Sequence, residues 1–166
     1  MHGDESGSVD RHHNLFGSPL LDARPQRVTT EHQLMDQAPD FLDQTRRRAV
    51  LDAIQEVCTH RHWCLLAAHI RTNHVHVIVE ANVPPERVMN DLKSYASRRL
   101  THLGLDERNR KRRARHGSTL WLWKDHDVRS AMRYVIDEQG EPMEVFAAEP
   151  ETAPWKTRRK SLIPRD

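Results

Sequence analysis

Two histidines and a tyrosine are the side chains best placed to do chemistry in this chain. In His74-Val75-His76-Val77-Ile78-Val79 polar and apolar positions alternate, the pattern of a half-buried strand. Side chains at i and i+2 share a strand face, so His74 and His76 project together while Val75, Val77 and Val79 pack behind them. Two imidazoles on one rigid element can share a divalent metal or a phosphate. An isolated His-x-His is also what two ordinary, partly exposed strand histidines look like. The tyrosine is Tyr134, in a segment whose apolar residues Val128, Ala131, Met132, Val135 and Ile136 gather on one arc at helical spacing. Asp127, Ser130, Tyr134, Glu138 and Glu141 gather on the opposite side, with Glu138 one turn beyond the tyrosine. Tyr95 instead lies on the apolar stripe of its own segment and is expected to pack.

The elements that must hold these groups are legible from caps and periods. Asp43 is a plausible start for a helix running to about His60, with Val50, Ile54 and Val57 on one face. Trp63 to Ile70 reads as a strand, and Thr72-Asn73 as a short turn that makes it a hairpin with the histidine strand. Pro84-Pro85-Glu86 opens a second helix with a stripe of Val88, Leu92, Tyr95, Leu100 and Leu103, ended by Gly104. Leu120-Trp121-Leu122-Trp123 is a short strand candidate. Asp125 or Asp127 can cap the tyrosine helix, which stops at Gly140. Residues up to about Pro39 are rich in Gly, Ser, Pro, Asp and His, show little period, and read as an irregular arm. The expected organisation is an arm at 1–42, a domain at 43–146 and a basic tail at 147–166.

Composition narrows the class. The chain has 166 residues, enough for one domain with a small core, with 37% hydrophobic and 30% charged residues. No apolar run approaches the length of a membrane span, and no signal-peptide order appears at the N-terminus, so a cytoplasmic protein is expected. Cys58 and Cys64 match no common zinc spacing and read as reduced thiols. The formal net charge is only +2, but it is unevenly spread. Arg108, Arg110, Lys111, Arg112, Arg113 and Arg115 crowd one stretch without an acid, and Lys156, Arg158, Arg159, Lys160 and Arg165 make the tail basic. Such runs are often solvated loops. Two of them beside a His-x-His strand tilt the reading towards a phosphate backbone.

Asn73-His74-Val75-His76-Val77-Ile78-Val79, then Leu92-Lys93-Ser94-Tyr95-Ala96-Ser97-Arg98-Arg99-Leu100, then Trp123, then Arg133-Tyr134-Val135 resemble single-tyrosine HUH transposases in order and spacing. These comprise insertion-sequence transposases and REP-associated tyrosine transposases, and the resemblance spans roughly Arg46 to Pro142. It implies a ferredoxin-like α+β fold, an antiparallel sheet with helices on one face, a central histidine strand and the tyrosine helix beside it. Carried over by position, His74 and His76 are metal ligands and Tyr134 is the nucleophile. Glu138 stands four residues on, where relatives usually carry Gln or Asn as third ligand, and its carboxylate suits Mg²⁺ or Mn²⁺. Gln139 follows it, turned about 100° towards the core stripe if the helix continues. Arg98, Arg99 and the stretch from Arg108 to Arg115 are the implied DNA contacts.

The implied activity is metal-assisted transesterification on single-stranded or hairpin DNA through a 5′-phosphotyrosine, by a homodimer acting in the bacterial nucleoid. Rolling-circle initiators and relaxases use the same site. A binding-only hairpin protein is the alternative outside enzymes. A histidine-triad hydrolase needs a third alternating histidine where Ile78 stands. One departure concerns the sheet: relatives begin with a strand that pairs beside the histidine strand. Here only Gln26-Arg27-Val28-Thr29-Thr30 is a weak candidate before Asp43, so that strand is expected to be missing from this chain.

Overall fold

A computed structural model describes residues 41–106 and 117–149. The chain divides into two compact units, Phe41–Arg110 with Trp121–Asp166, and Met1–Asp40 with Lys111–Leu120. Of the latter only 117–120 are described, without helix or strand, and the fold below is that of the former. The irregular arm before Phe41, the weak strand candidate at Gln26–Thr30, the basic stretch Arg108–Arg115 and the tail from 150 onwards lie outside the described residues.

Helix α1 spans Gln44–Arg61, and its N-cap Asp43 accepts a hydrogen bond from the Arg46 amide at 2.8 Å, satisfying one of the free donors of the first turn. It ends at His62, whose φ of 56° is left-handed and lets its amide reach back to Cys58 and Thr59. Strand β1 is Cys64–Ile70 and β2 is Val75–Glu80; they form an antiparallel hairpin. Helix α2 is Pro85–His102, with Gly104 at φ 66° just past its end. Helix α3 is Asp125–Asp137 and strand β3 is Glu144–Ala147. The N-cap of α3 is Lys124, and Asp125 and Asp127 occupy its first turn, where their charge favours the positive end of the helix dipole. Residues 120–123, expected as a strand, form none.

A single extra residue in β1 sets the two faces of the sheet. Leu65 pairs with Val79 but Ala67 pairs with Ile78, so Leu66 is a bulge that shifts the alternation by one. Upstream of it Leu65 packs with α1; downstream Ala68 and Ile70 keep to that face while Leu66 and Ala67 turn to the other. The first face buries Val50, Ile54 and Val57 of α1 and Leu100 of α2, with Val88, Leu92 and Tyr95 packed against them. The second buries Leu66, Ala67, Ile78 and Val135, with Val128, Ala131, Met132 and Ile136 of α3 around them. The architecture is α+β with an antiparallel sheet. Helices α1 and α2 share one face as expected, whereas α3 covers the opposite one.

The strand order is β2-β1-β3, so β1 is central and the histidine strand lies at an edge among the described residues. No described strand pairs with the outer side of β2, while β3, unanticipated from sequence, returns after α3 to the other side of β1, pairing Ala68 with Phe146 and His69 with Val145. Leu103, expected in the α2 stripe, is half exposed because the helix ends before it.

Candidate active site

The turn of the β1–β2 hairpin presents the histidines. The Arg71 amide donates to the His74 carbonyl at 2.9 Å, closing Thr72-Asn73 into the expected turn. His74 is exposed at the mouth of the hairpin and His76 is partly buried two residues into it. Their rings lie 4.9 Å apart, edge to face. His74 Nδ1 is 2.6 Å from Asn73 Oδ1. An amide oxygen only accepts, so Nδ1 donates this bond and Nε2 is the nitrogen left to face a ligand.

Tyr134 approaches this pair from α3. Its ring is 6.0 Å from that of His76 and nearly perpendicular to it. It is partly buried at the margin of the second core cluster. Tyr95 belongs to the other side of the sheet, packed against the first cluster with the Arg98 guanidinium 4.5 Å over its ring. The fold therefore groups His74 and His76 with Tyr134 and keeps Tyr95 apart.

Of Glu138 and Gln139, it is Gln139 that lies beside the His76 ring. Helix α3 stops at Asp137 and Glu138 is its C-cap, with φ −106° and ψ 14° outside the helical range. A helical projection does not extend past that residue. Glu138 is exposed, while Gln139 is partly buried, contacts the Tyr134 carbonyl through Nε2 at 3.4 Å and is hydrogen-bonded with the His76 ring. Gly140, at φ 76°, then reverses the chain, and Arg71 Nη1 donates to the Glu141 carbonyl at 3.1 Å, tying the turn of the hairpin to the connection after α3. No group of three His, Cys, Asp or Glu that could hold a metal occurs among the described residues.

Beneath the site is His69, which nothing in the periodicity of β1 singled out. It pairs across the hairpin with His76 and is fully buried. Its Nδ1 lies 3.0 Å from the Val135 carbonyl and its Nε2 3.3 Å from the Met143 amide. A carbonyl accepts and an amide donates, so the ring is neutral with its proton on Nδ1, and both nitrogens are used. Val135 is in the last turn of α3, where carbonyls lack helical partners, so His69 caps the tyrosine helix from inside the sheet. A histidine within an otherwise apolar strand is the signal that could have revealed it, since a buried polar ring needs partners.

Burial pushes the His76 ring down to about 4, helped by His74, His69 and the Arg71 cation and opposed by the Gln139 hydrogen bond. Burial also lowers His69. The site thus favours the neutral form of His76, the form that ligates metal. Burial pushes the Cys58 thiol up to about 11, consistent with an inert core cysteine. Of the two described arginines expected at DNA, Arg99 is ion-paired with Glu56 of α1 and Arg98 lies over Tyr95. Both are thereby engaged on the first face of the sheet.

The described unit is thus α+β, with a histidine hairpin facing the tyrosine helix. The family model described as "Transposase IS200 like" matches residues 38–126, more than half of the chain, which belongs to this family of single-tyrosine transposases. The matched residues include both histidines and end before Tyr134. No curated protein and no solved structure matches the chain significantly. No helix among the described residues is long and apolar enough to cross a membrane.

Proposed function

We propose that the chain cleaves and rejoins single-stranded or hairpin DNA, with Tyr134 as nucleophile and His74 and His76 as metal ligands. The observation that carries this reading is the 6.0 Å approach of Tyr134 to His76, beside a second imidazole on the same hairpin. In the reaction the Tyr134 Oη–P bond forms, the P–O3′ bond breaks and a proton ends on the released 3′ oxygen. One phosphodiester is exchanged for another, so no triphosphate is required; the reverse attack by a 3′ hydroxyl joins strands.

Two imidazoles with an amide oxygen beside them fit Mg²⁺ or Mn²⁺, and the third donor we assign is Gln139 rather than the exposed Glu138. Such an ion, when bound, polarises a non-bridging phosphate oxygen. The chain's own residues do the rest. Asn73 orients His74, His69 anchors the last turn of α3 and so the tyrosine next to Val135, and Arg71 adds a fixed positive charge near His76.

The test uses end-labelled single strands copied from the DNA flanking the gene, palindromes included, with Mg²⁺ or Mn²⁺. Metal-dependent strand cleavage by the protein, absent in Tyr134→Phe although that variant still binds DNA, supports the reading. Binding without cleavage by the unaltered protein moves it to a hairpin-binding role.

A further inference from the structure

Trp121 and Trp123, in the segment that leads into the tyrosine helix, stack on one another, with ring centroids 5.1 Å apart and planes within 6° of parallel. They are also among the most exposed apolar residues, at 54% and 74%. Residues that share their segment behave differently: Leu122, between them, packs into the second core cluster with Val128, Val135 and Tyr134. Leu120 before them is half exposed, but Leu122 points inwards between the two tryptophans, so this one anchored leucine holds two large rings in water on the sheet face that carries Tyr134. Burial of a tryptophan is strongly favourable, so a preformed, solvent-facing pair calls for an occupant.

The surrounding chemistry selects that occupant. In the sequence, the stretch from Arg108 to Lys124 holds seven Lys and Arg and no Asp or Glu, and Asp125 and Asp127 follow it. Lys124, next in the chain to Trp123, is exposed. An aromatic platform bordered by cations suits a polyanion that also offers flat rings, which is single-stranded nucleic acid; a second copy of this chain would bring the same positive charge.

We infer that Trp121 and Trp123 form a stacking platform for unpaired DNA bases adjoining the cleavage site. The inference rests on the reading of the chain as a single-strand DNA enzyme but concerns binding, not chemistry. Each ring stacks on the other through one face and offers its outer face to a base, without regard to base identity. Lys124 meets the backbone alongside.

The experiment measures the affinity of the full chain for a single-stranded oligothymidine and for an abasic strand of equal length and charge. Trp123→Ala is expected to weaken oligothymidine binding about tenfold, the loss of one stacked base, and to leave abasic binding unchanged. Trp123→Phe should recover part of the affinity. Unchanged melting of Trp123→Ala is expected from its exposure. Equal loss on both probes, no loss on either, or no binding of oligothymidine by the unaltered chain overturns the platform. So does a dimer that Trp121→Ala and Trp123→Ala together dissociate in light scattering, which gives the patch to a second copy. Oligothymidine binding that depends on Trp123 in a chain that never cleaves DNA supports the platform while the nucleophile assignment fails. Cleavage that persists with affinity indifferent to Trp123 sinks the platform alone.

Discussion

Replacing His69 with leucine tests whether the tyrosine helix is held from inside the sheet. The ring is fully buried, donates to the Val135 carbonyl at 3.0 Å and accepts from the Met143 amide at 3.3 Å. Leucine fills a similar volume but satisfies neither group. The Val135 contact is buried, so the stranded carbonyl costs about 1–3 kcal/mol, and the partly buried Met143 amide adds roughly 1 kcal/mol. The sum, about 2–4 kcal/mol, is a large part of the 5–15 kcal/mol typical of a domain, and corresponds to a fall in Tm of roughly 10 °C. His69→Asn keeps a donor near the Nδ1 position and loses the acceptor to Met143, so it should fall between. Urea titrations of the three proteins at pH 7.5 give the ranking. DNA cleavage should fall further than DNA binding in His69→Leu, because Tyr134 adjoins the loosened carbonyl. A loss under about 1 kcal/mol for leucine, or asparagine worse than leucine, refutes the capping role.

Calorimetric Mn²⁺ titration should show Gln139→Ala weakened about tenfold or more and Glu138→Ala unchanged; the opposite order returns the third ligand to Glu138. Stability without metal should depend on pH through His76. Its folded value of about 4 lies below the ordinary 6.5, so the unfolded chain takes the proton first. Stability is then fully present above about pH 6.5 and lost as pH falls towards 4, with buried His69 acting in the same direction. His76→Gln should flatten that dependence, and an unaltered slope would show that His76 titrates normally. Replacing Arg112 and Arg113 by Ala should lower the salt slope of hairpin binding by about one unit per lost phosphate contact, and an unchanged slope returns this stretch to a solvated loop.

Helix α1 was legible because Asp43 supplies a cap and its apolar residues keep a 3.6-residue period; α2 was legible from its prolines and Gly104. The histidine hairpin followed from alternation and a two-residue turn. Three features were hidden for physical reasons. The bulge at Leu66 leaves no mark in an apolar run where neighbours on either face are equally hydrophobic, so the helices could not be assigned to faces. Strand β3 is four residues long and stabilised by pairing with β1, which no local pattern reports. The position of Gln139 was hidden because a helical projection fails past Asp137: the backbone leaves helical geometry at Glu138, and the side chain after it lies beside His76. Tyr134 stood out in the sequence because its apolar neighbours define an arc beside it, and in the fold it lies at the margin of the cluster they form.

The claim that Tyr134 is the reacting group is tested most directly by trapping the protein on its DNA. The chain is incubated with single strands from the flanks of its gene and Mn²⁺, digested, and the DNA-linked peptide identified by mass spectrometry. The account predicts a metal-dependent 5′-phosphotyrosine adduct at Tyr134, lost in Tyr134→Phe and in His76→Ala and retained in Tyr95→Phe. An adduct at Tyr95, or one that forms undiminished in His76→Ala, would contradict it.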